Sequence, residues 1–229
     1  NDKAIAKFKP KAIMPFASFI YFSHEENFYW NDNNWIDHVF SKYFYNQSTL
    51  IFPKPDQSIS LNRLHDRNYL YHNLTAKTFW KDKHKNLTVK DRVKPISLDQ
   101  IKDRYLKFNK RINEVNTIQN DLSINIKITD LNKTIKFWLV EPFMKEVKEE
   151  ETISVSSETA GFLFSELFAR GTVCVNSRVS FNYETAHKFF MFFFIPYANN
   201  IGKYFDEFPK DAYTSIMRTV VMDAIHNNP

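Results

Sequence analysis

The chain has 229 residues, of which 43% are hydrophobic and 17% aromatic, and it carries a formal net charge of +5. Its 3 glycines (Gly161, Gly171 and Gly202) are too few and too scattered for a G-x-G-x-x-G or G-x-x-x-x-G-K-[ST] phosphate loop, and no G-x-S-x-G elbow occurs. The lone Cys174 excludes an internal disulfide and a zinc ribbon, and its setting in the apolar run TVCV reads as a buried structural thiol. Basic residues such as Lys81, Lys83, Lys85, Lys90, Arg92 and Lys94 are mixed with acids, which predicts a solvated surface and no nucleic-acid partner. No signal peptide is recognised. The strongest apolar run, FFMFFFI at 189–195, is too short to span a bilayer, so a cytoplasmic protein with no membrane partner is expected. The start at Asn-Asp-Lys, without Met, suggests a fragment or a processed product.

In chain order, a first helix ends in KFKPK, and Pro10 forces an extended exit. AIMPFASFIYF, nearly continuous in apolar residues, reads as a buried strand. Residues 35–46 place Trp35, Ile36, Val39, Phe40, Tyr43 and Phe44 at helical spacing. STLIF is a short strand, Pro53 to Asp56 a turn, and SISL another short strand. Residues 63–95 read as a polar connector with weak structure.

A helix over about 98–118 is expected next. Ser97 and Gln100 form a capping box, and Leu98, Ile101, Tyr105, Phe108 and Ile112 line one stripe. SINIKI and TIKFWLVE alternate as strands around a hairpin turn, and ETISVS is a third strand. Ser157 caps a helix, ETAGFLFSELFAR, that stops at Gly171. TVCVN reads as a strand, YETAHKFFMFFFIP as a helix halted by Pro196, and residues 211–226 have one more helical period. FFMFFFI is expected to be a core helix. The expected domains are 1–62, a connector with a helix over 63–119, and an α+β module over 120–229.

The stretch KFKPKAIMPFASFIYFSHEENFYWND, followed by STLIFPKPDQSISL, resembles the final strands of a metallo-β-lactamase fold. It is most similar to the branch of UlaG-like hydrolases and of CMP-N-acetylneuraminate hydroxylase, where a Pro-Phe-Ala strand runs into a Ser-His loop. Here Pro15-Phe16-Ala17 and Ser23-His24 carry that likeness, which covers about residues 1–62. The resemblance implies an α+β chain: terminal strands of an αββα sandwich, then an α+β C-terminal module. It also implies a metal-dependent hydrolase whose zinc or iron sits on a H-x-H-x-D-H loop, while heavy use of Lys, Asn, Ile and Phe suggests an AT-rich bacterial genome. That loop is absent, because His24, His38, His65, His72, His84, His187 and His226 never stand two apart. The expectation is therefore a C-terminal portion, partnered by an upstream segment of the same fold, inactive by itself and without metal ligands of its own.

Within that frame His24 and Glu26 are the expected catalytic groups. Asn27, Asp32 and Arg178 are the expected substrate contacts, with a small molecule as substrate. Glu25 stands beside them, while Phe28, Tyr29 and Trp30 are expected to pack. Arg170 and Arg178, with Asn176, flank TVCV and suit an anion. His65, Asp66 and His72 read as structural. A non-catalytic module for protein interaction or dimerisation, built on the aromatic second half and forming a homo-oligomer, is the alternative.

Overall fold

Cross-strand pairing of isoleucines organises the later part of the chain. The computed structural model describes residues 6–14, 21–32, 36–38, 49–58, 60, 62, 68–117, 122–148 and 153–204. The chain divides into two units, Asn1–Arg92 and Val93–Pro229. It is a mixed α+β protein. In chain order the elements are β1 (Ala12–Ile13), β2 (Thr49–Leu50), α1 (Asn68–Lys85), α2 (Leu98–Val115), β3 (Ser123–Ile128), β4 (Lys133–Trp138), β5 (Met144–Glu146), β6 (Ile153–Val155), α3 (Ser157–Ser165), α4 (Ala169–Val175), α5 (Tyr183–Phe192) and α6 (Phe194–Asn200), with a 3-10 helix at Phe28–Asp32. No helix among the described residues is long and apolar enough to cross a membrane.

In the second unit the strands run in the order β5-β4-β3-β6. β3 and β4 form the expected hairpin, pairing Ile124 with Phe137 and Ile126 with Ile135, while β6 joins β3 in parallel through Ile126–Ile153 and Ile128–Val155. Alternation puts all seven of these side chains on one buried face, as a half-buried sheet requires. Asn132 closes the hairpin at φ 49°, a conformation that Asn tolerates better than most residues. An unforeseen strand, β5, pairs antiparallel with β4, and its short, charged sequence gave no signal of its own.

α2 begins at the expected capping box, with Ser97 Oγ accepting from Gln100 N and Gln100 Oε1 from Ser97 N. Its buried face carries Ile101, Tyr105, Phe108 and Ile112, and α2 packs on α3. Asn109 Nδ2 donates to the Leu139 carbonyl at 2.7 Å, and Asn113 Nδ2 reaches the Leu139 and Val140 carbonyls at 3.1 and 3.2 Å. Tyr105 Oη lies 2.6, 2.9 and 2.8 Å from the carbonyls of Trp138, Glu141 and Phe143. A polar row at i, i+4 and i+8 on the helix thus holds the bend at 138–143 where β4 turns into β5. Around this row rings meet edge-on or tilted: Tyr105–Phe137 at 5.1 Å, Phe137–Phe164 at 4.7 Å and Phe189–Phe193 at 5.1 Å.

Several expected elements are corrected. α3 is capped by Ser156, not Ser157, whose amide and hydroxyl both donate to Asp130, at 2.7 and 2.6 Å. The helix stops at Ser165, not at Gly171, and TVCV is helical in α4, where Ala169 and Val173 share a buried face at i, i+4. Packing therefore overrides the strand preference of the valines. Pro196 does not halt a helix either. The break falls at Phe193, and Pro196 takes the first turn of α6, where its missing N–H costs nothing. α6 ends at Gly202 (φ 77°), with Lys203 N donating to the Ala198 carbonyl at 2.9 Å, a Schellman-type closure.

In the first unit β1 and β2 pair in parallel, Ala12 with Thr49 and Ile13 with Leu50, and Ile51 N donates to Ile13 O. The polar connector holds the 18-residue helix α1, a correction. Its inner contacts are polar, which hid it: Asn73 accepts from Phe52 N at 2.8 Å and donates to Leu50 O, and Trp80 Nε1 donates to Pro53 O at 2.8 Å. Lys77 and Lys81 meet the two carboxylate oxygens of Asp37 at 2.8 and 2.7 Å. The expected turn lies at Pro55 and Asp56, the latter at φ 60°. Ser58 and Ser60 are not in a strand. Of the expected helix over 35–46 residues 36–38 are helical, and its remainder, like residues 15–20 of the first strand and the 211–226 helix, lies outside the described residues.

Tyr105→Phe removes the hydroxyl that meets the carbonyls of Trp138, Glu141 and Phe143 and lowers unfolding free energy by about 1–3 kcal/mol, measured by urea denaturation. Burial pushes the Tyr105 phenol up to about 12 from an ordinary 10.0. The folded chain then keeps this proton to higher pH than the unfolded one, so unfolding releases it and stability falls as pH rises above about 10. That part of the alkaline loss is absent in the Phe variant. At the crossing of α3 with α2, a Cβ on Gly161 would strike Ile96 Cδ1 and lie 2.7 Å from Arg104 Nη1. Those are the ends of flexible side chains. Gly161→Ala is therefore tolerated, whereas Gly161→Leu destabilises by about 1–3 kcal/mol in the same measurement.

Candidate functional site

The site begins at residues 21–23, which hold no strand of their own. Lys90 N and Asp91 N donate to Ser23 O at 2.8 and 3.2 Å, and Glu25 N donates to Asp91 O at 2.9 Å, so residues 90–92 run beside 23–25. Ser23 Oγ adds a 3.2 Å bond to Asp91 Oδ2. Asn31 acts as a side-chain rung: its amide accepts from Phe22 N at 2.9 Å and donates to the carbonyls of Phe22 and Phe28, each at 2.8 Å. Between these two anchors the chain reverses. Asn27 N donates to His24 O, and Trp30 N donates to Asn27 O to open the 3-10 helix.

This turn gathers three of the expected site residues. His24 and Glu26 are mostly buried, with side-chain exposures of 12% and 15%. The His24 Nδ1 accepts from Glu26 N at 3.2 Å and stands 3.6 Å from Glu26 Oε2. Asn27 is buried beside them. Asp32 lies at the end of the 3-10 helix and is exposed. Glu25 is 3.8 Å from Arg92, an exposed pair of small worth. Tyr29 and Trp30 were expected to pack. They are instead exposed, their rings 5.6 Å apart, because the short 3-10 helix turns them outward. Lys90 lies 5.2 Å over the Tyr21 ring; bonding to Tyr21 raises the lysine's pKa, so it is a cation at neutral pH.

Arg178 belongs to the second unit. Its Nη2 is 2.9 Å from Glu158 Oε2, which also accepts from Lys94 N at 3.2 Å. The ion pair thus closes the first turn of α3, where an acidic side chain suits the helix dipole. Arg170 stacks on Tyr197 at 4.0 Å and Phe190 at 5.5 Å, and Asn176 caps α4. His65 and Asp66 lie outside the described residues, as does the side chain of His72. Among the described residues no group of three His, Cys, Asp or Glu side chains stands close enough to hold a metal ion. Asp91 was missed by sequence reading. Its role comes from backbone pairing across 68 residues, which no local motif announces.

No known protein family, no curated protein and no solved structure matches the chain.

Cys174 is half-buried, and burial pushes its thiol up to about 11 against a small opposing pull from Arg170. At pH 8 about one molecule in a thousand then carries the thiolate. Iodoacetamide at pH 8 is expected to label Cys174 far more slowly in the native chain than in urea, by mass spectrometry.

Proposed function

We propose that the chain is the C-terminal portion of a metallo-β-lactamase-fold, metal-dependent hydrolase acting on a phosphoester, lactone or amide in the bacterial cytoplasm. The His24–Asn27 turn contributes to the substrate pocket, and the second unit is an accessory module. One observation carries the reading. β1, within KPKAI, lies parallel to β2, within STLIF, and each has a single partner strand among the described residues. Parallel strands occur almost always in larger sheets covered on both faces, and an isolated pair of such short strands is not stable by itself. A sandwich supplying further strands accounts for the pair, and the same stretch carries the family resemblance.

The described residues do not fit a zinc or iron site, so the metal ligands would come from an upstream H-x-H-x-D-H segment. The test is to read the genomic sequence 5′ of the Asn1 codon and to measure metal in the protein it encodes. The expected result is that motif in frame, with stoichiometric zinc or iron lost when its histidines are changed to alanine. An encoded protein without the motif, or one that binds no metal, overturns the proposal.

A second reading, self-association through the later part of the chain, has its own support. Phe168, Val175, Tyr197, Ile201 and Tyr204 are large apolar or aromatic side chains exposed by 38–73%. Light scattering at tens of micromolar protein decides it: a dimer that Val175→Glu with Ile201→Glu dissociates is expected, and a wild-type monomer dismisses the reading.

A further inference from the structure

A neutral imidazole carries one proton and one lone pair, and its neighbours decide which nitrogen holds which. Here the backbone N–H of Glu26 points at His24 Nδ1 from 3.2 Å, two residues along the chain. Nδ1 must therefore be the acceptor, and the proton resides on Nε2. The opposite tautomer would set N–H against N–H. The arrangement is that of an Asx turn, in which a side-chain oxygen accepts the amide two residues on, with the imidazole nitrogen in place of the oxygen.

We propose that His24 is a positioning residue for Glu26, and an acid-sensitive one. Neutral His24 holds the Glu26 amide and fixes the turn. Protonation puts a hydrogen on Nδ1, which can no longer accept that amide and donates instead to Glu26 Oε2, 3.6 Å away. The proton thus exchanges a backbone bond for a carboxylate bond within one turn. As a consequence His24 does not ligate a metal through Nε2, because that atom carries the proton in the state the turn selects, and it is also buried.

Several charged groups stand around the turn among the described residues. Glu26 is nearest. Asp91, on the adjoining segment, accepts from Ser23 Oγ, while Glu25 is offset by Arg92, and Lys90 leans over Tyr21. The functional half of this inference, that the turn presents Glu26 to a substrate, rests on the hydrolase reading. The tautomer and its exchange do not.

The experiment follows the ring nitrogens of His24 and the Glu26 amide by NMR in the intact protein, across the range where imidazoles titrate, roughly pH 8 to pH 5. His24→Gln assigns the ring signals. At the upper end Nδ1 is expected to be unprotonated and Nε2 protonated; on acidification both are protonated and the Glu26 amide proton moves upfield as its bond is lost. His24→Asn supplies an oxygen where Nδ1 accepts. It is expected to keep the Glu26 amide bonded and to abolish the upfield movement, which a merely space-filling role for His24 would not predict. An Nδ1–H tautomer at the upper end overturns the proposal. So does a wild-type Glu26 amide that ignores the imidazole titration, or a His24 ring that zinc perturbs ahead of the other histidines. Failure of the hydrolase reading would show in the upstream sequence and metal content, and neither alters these signals.

Discussion

The bend at residues 138–143 is the constraint on which the second unit depends. Between Trp138 and Phe143 the backbone leaves the sheet, and its partly buried carbonyls lie beside an apolar core of isoleucine and phenylalanine, which offers no hydrogen-bond donors. Stranded carbonyls in such surroundings would each cost on the order of 1–3 kcal/mol. Helix α2 supplies the donors. Because Tyr105, Asn109 and Asn113 recur every four residues, they sit in line on the helix and face the bend together. The same face carries Ile101, Phe108 and Ile112 into the aromatic cluster, so apolar burial and polar satisfaction fix one orientation of the helix. Phe143 can then return to pair Trp138 and admit β5 to the sheet.

The first unit solves a related problem with the same chemistry. After the bond from Ile51 N to Ile13 O the strand β2 has no further ladder partner among the described residues, yet Leu50, Ile51 and Phe52 are buried. Asn73 on α1 stands in for a neighbouring strand, taking Phe52 N and giving to Leu50 O, and two turns on Trp80 donates to Pro53 O. Asn31 repeats the device at Phe22. With 3 glycines in 229 residues, of which Gly202 takes a left-handed turn, the chain also places Lys9, Asp56, Asn132 and Ser177 at positive φ. Asn31 and Asn73 thus replace a strand, and Asn132 a glycine.

These devices explain what was legible in the sequence. The 3.6-residue stripe of α2, its capping box and the alternation of β3 and β4 are local, and each forms as read. α1 escaped because its inner face is Asn73, Ala76 and Trp80 with lysines at its rim, so hydrophobic periodicity finds no stripe. β5 escaped because an edge strand of three residues is defined by its partner and carries charge that protects the edge. TVCV misled because valine's preference for strands is weaker than the burial of Ala169 and Val173 on one helical face. The turn at His24 to Asn27 was legible as a polar exit from an apolar run. Asp91 was not, since only the fold brings it alongside.

What the turn can do follows from how it is held. A loop intended merely to leave a strand would be solvated and loosely bonded, yet His24, Glu26 and Asn27 are largely buried, between a side-chain rung at Asn31 and a backbone ladder at 90–92. Holding a histidine and a carboxylate so near each other in partial burial costs solvation, and burial of polar groups persists only where hydrogen bonds offset it. Here the offsetting bond is a backbone amide aimed at one ring nitrogen, and this makes the geometry of Glu26 depend on the charge of its neighbour. A turn of this kind has two arrangements separated by a single proton. That property belongs to the residues themselves, whichever larger sheet the parallel strands of the first unit join.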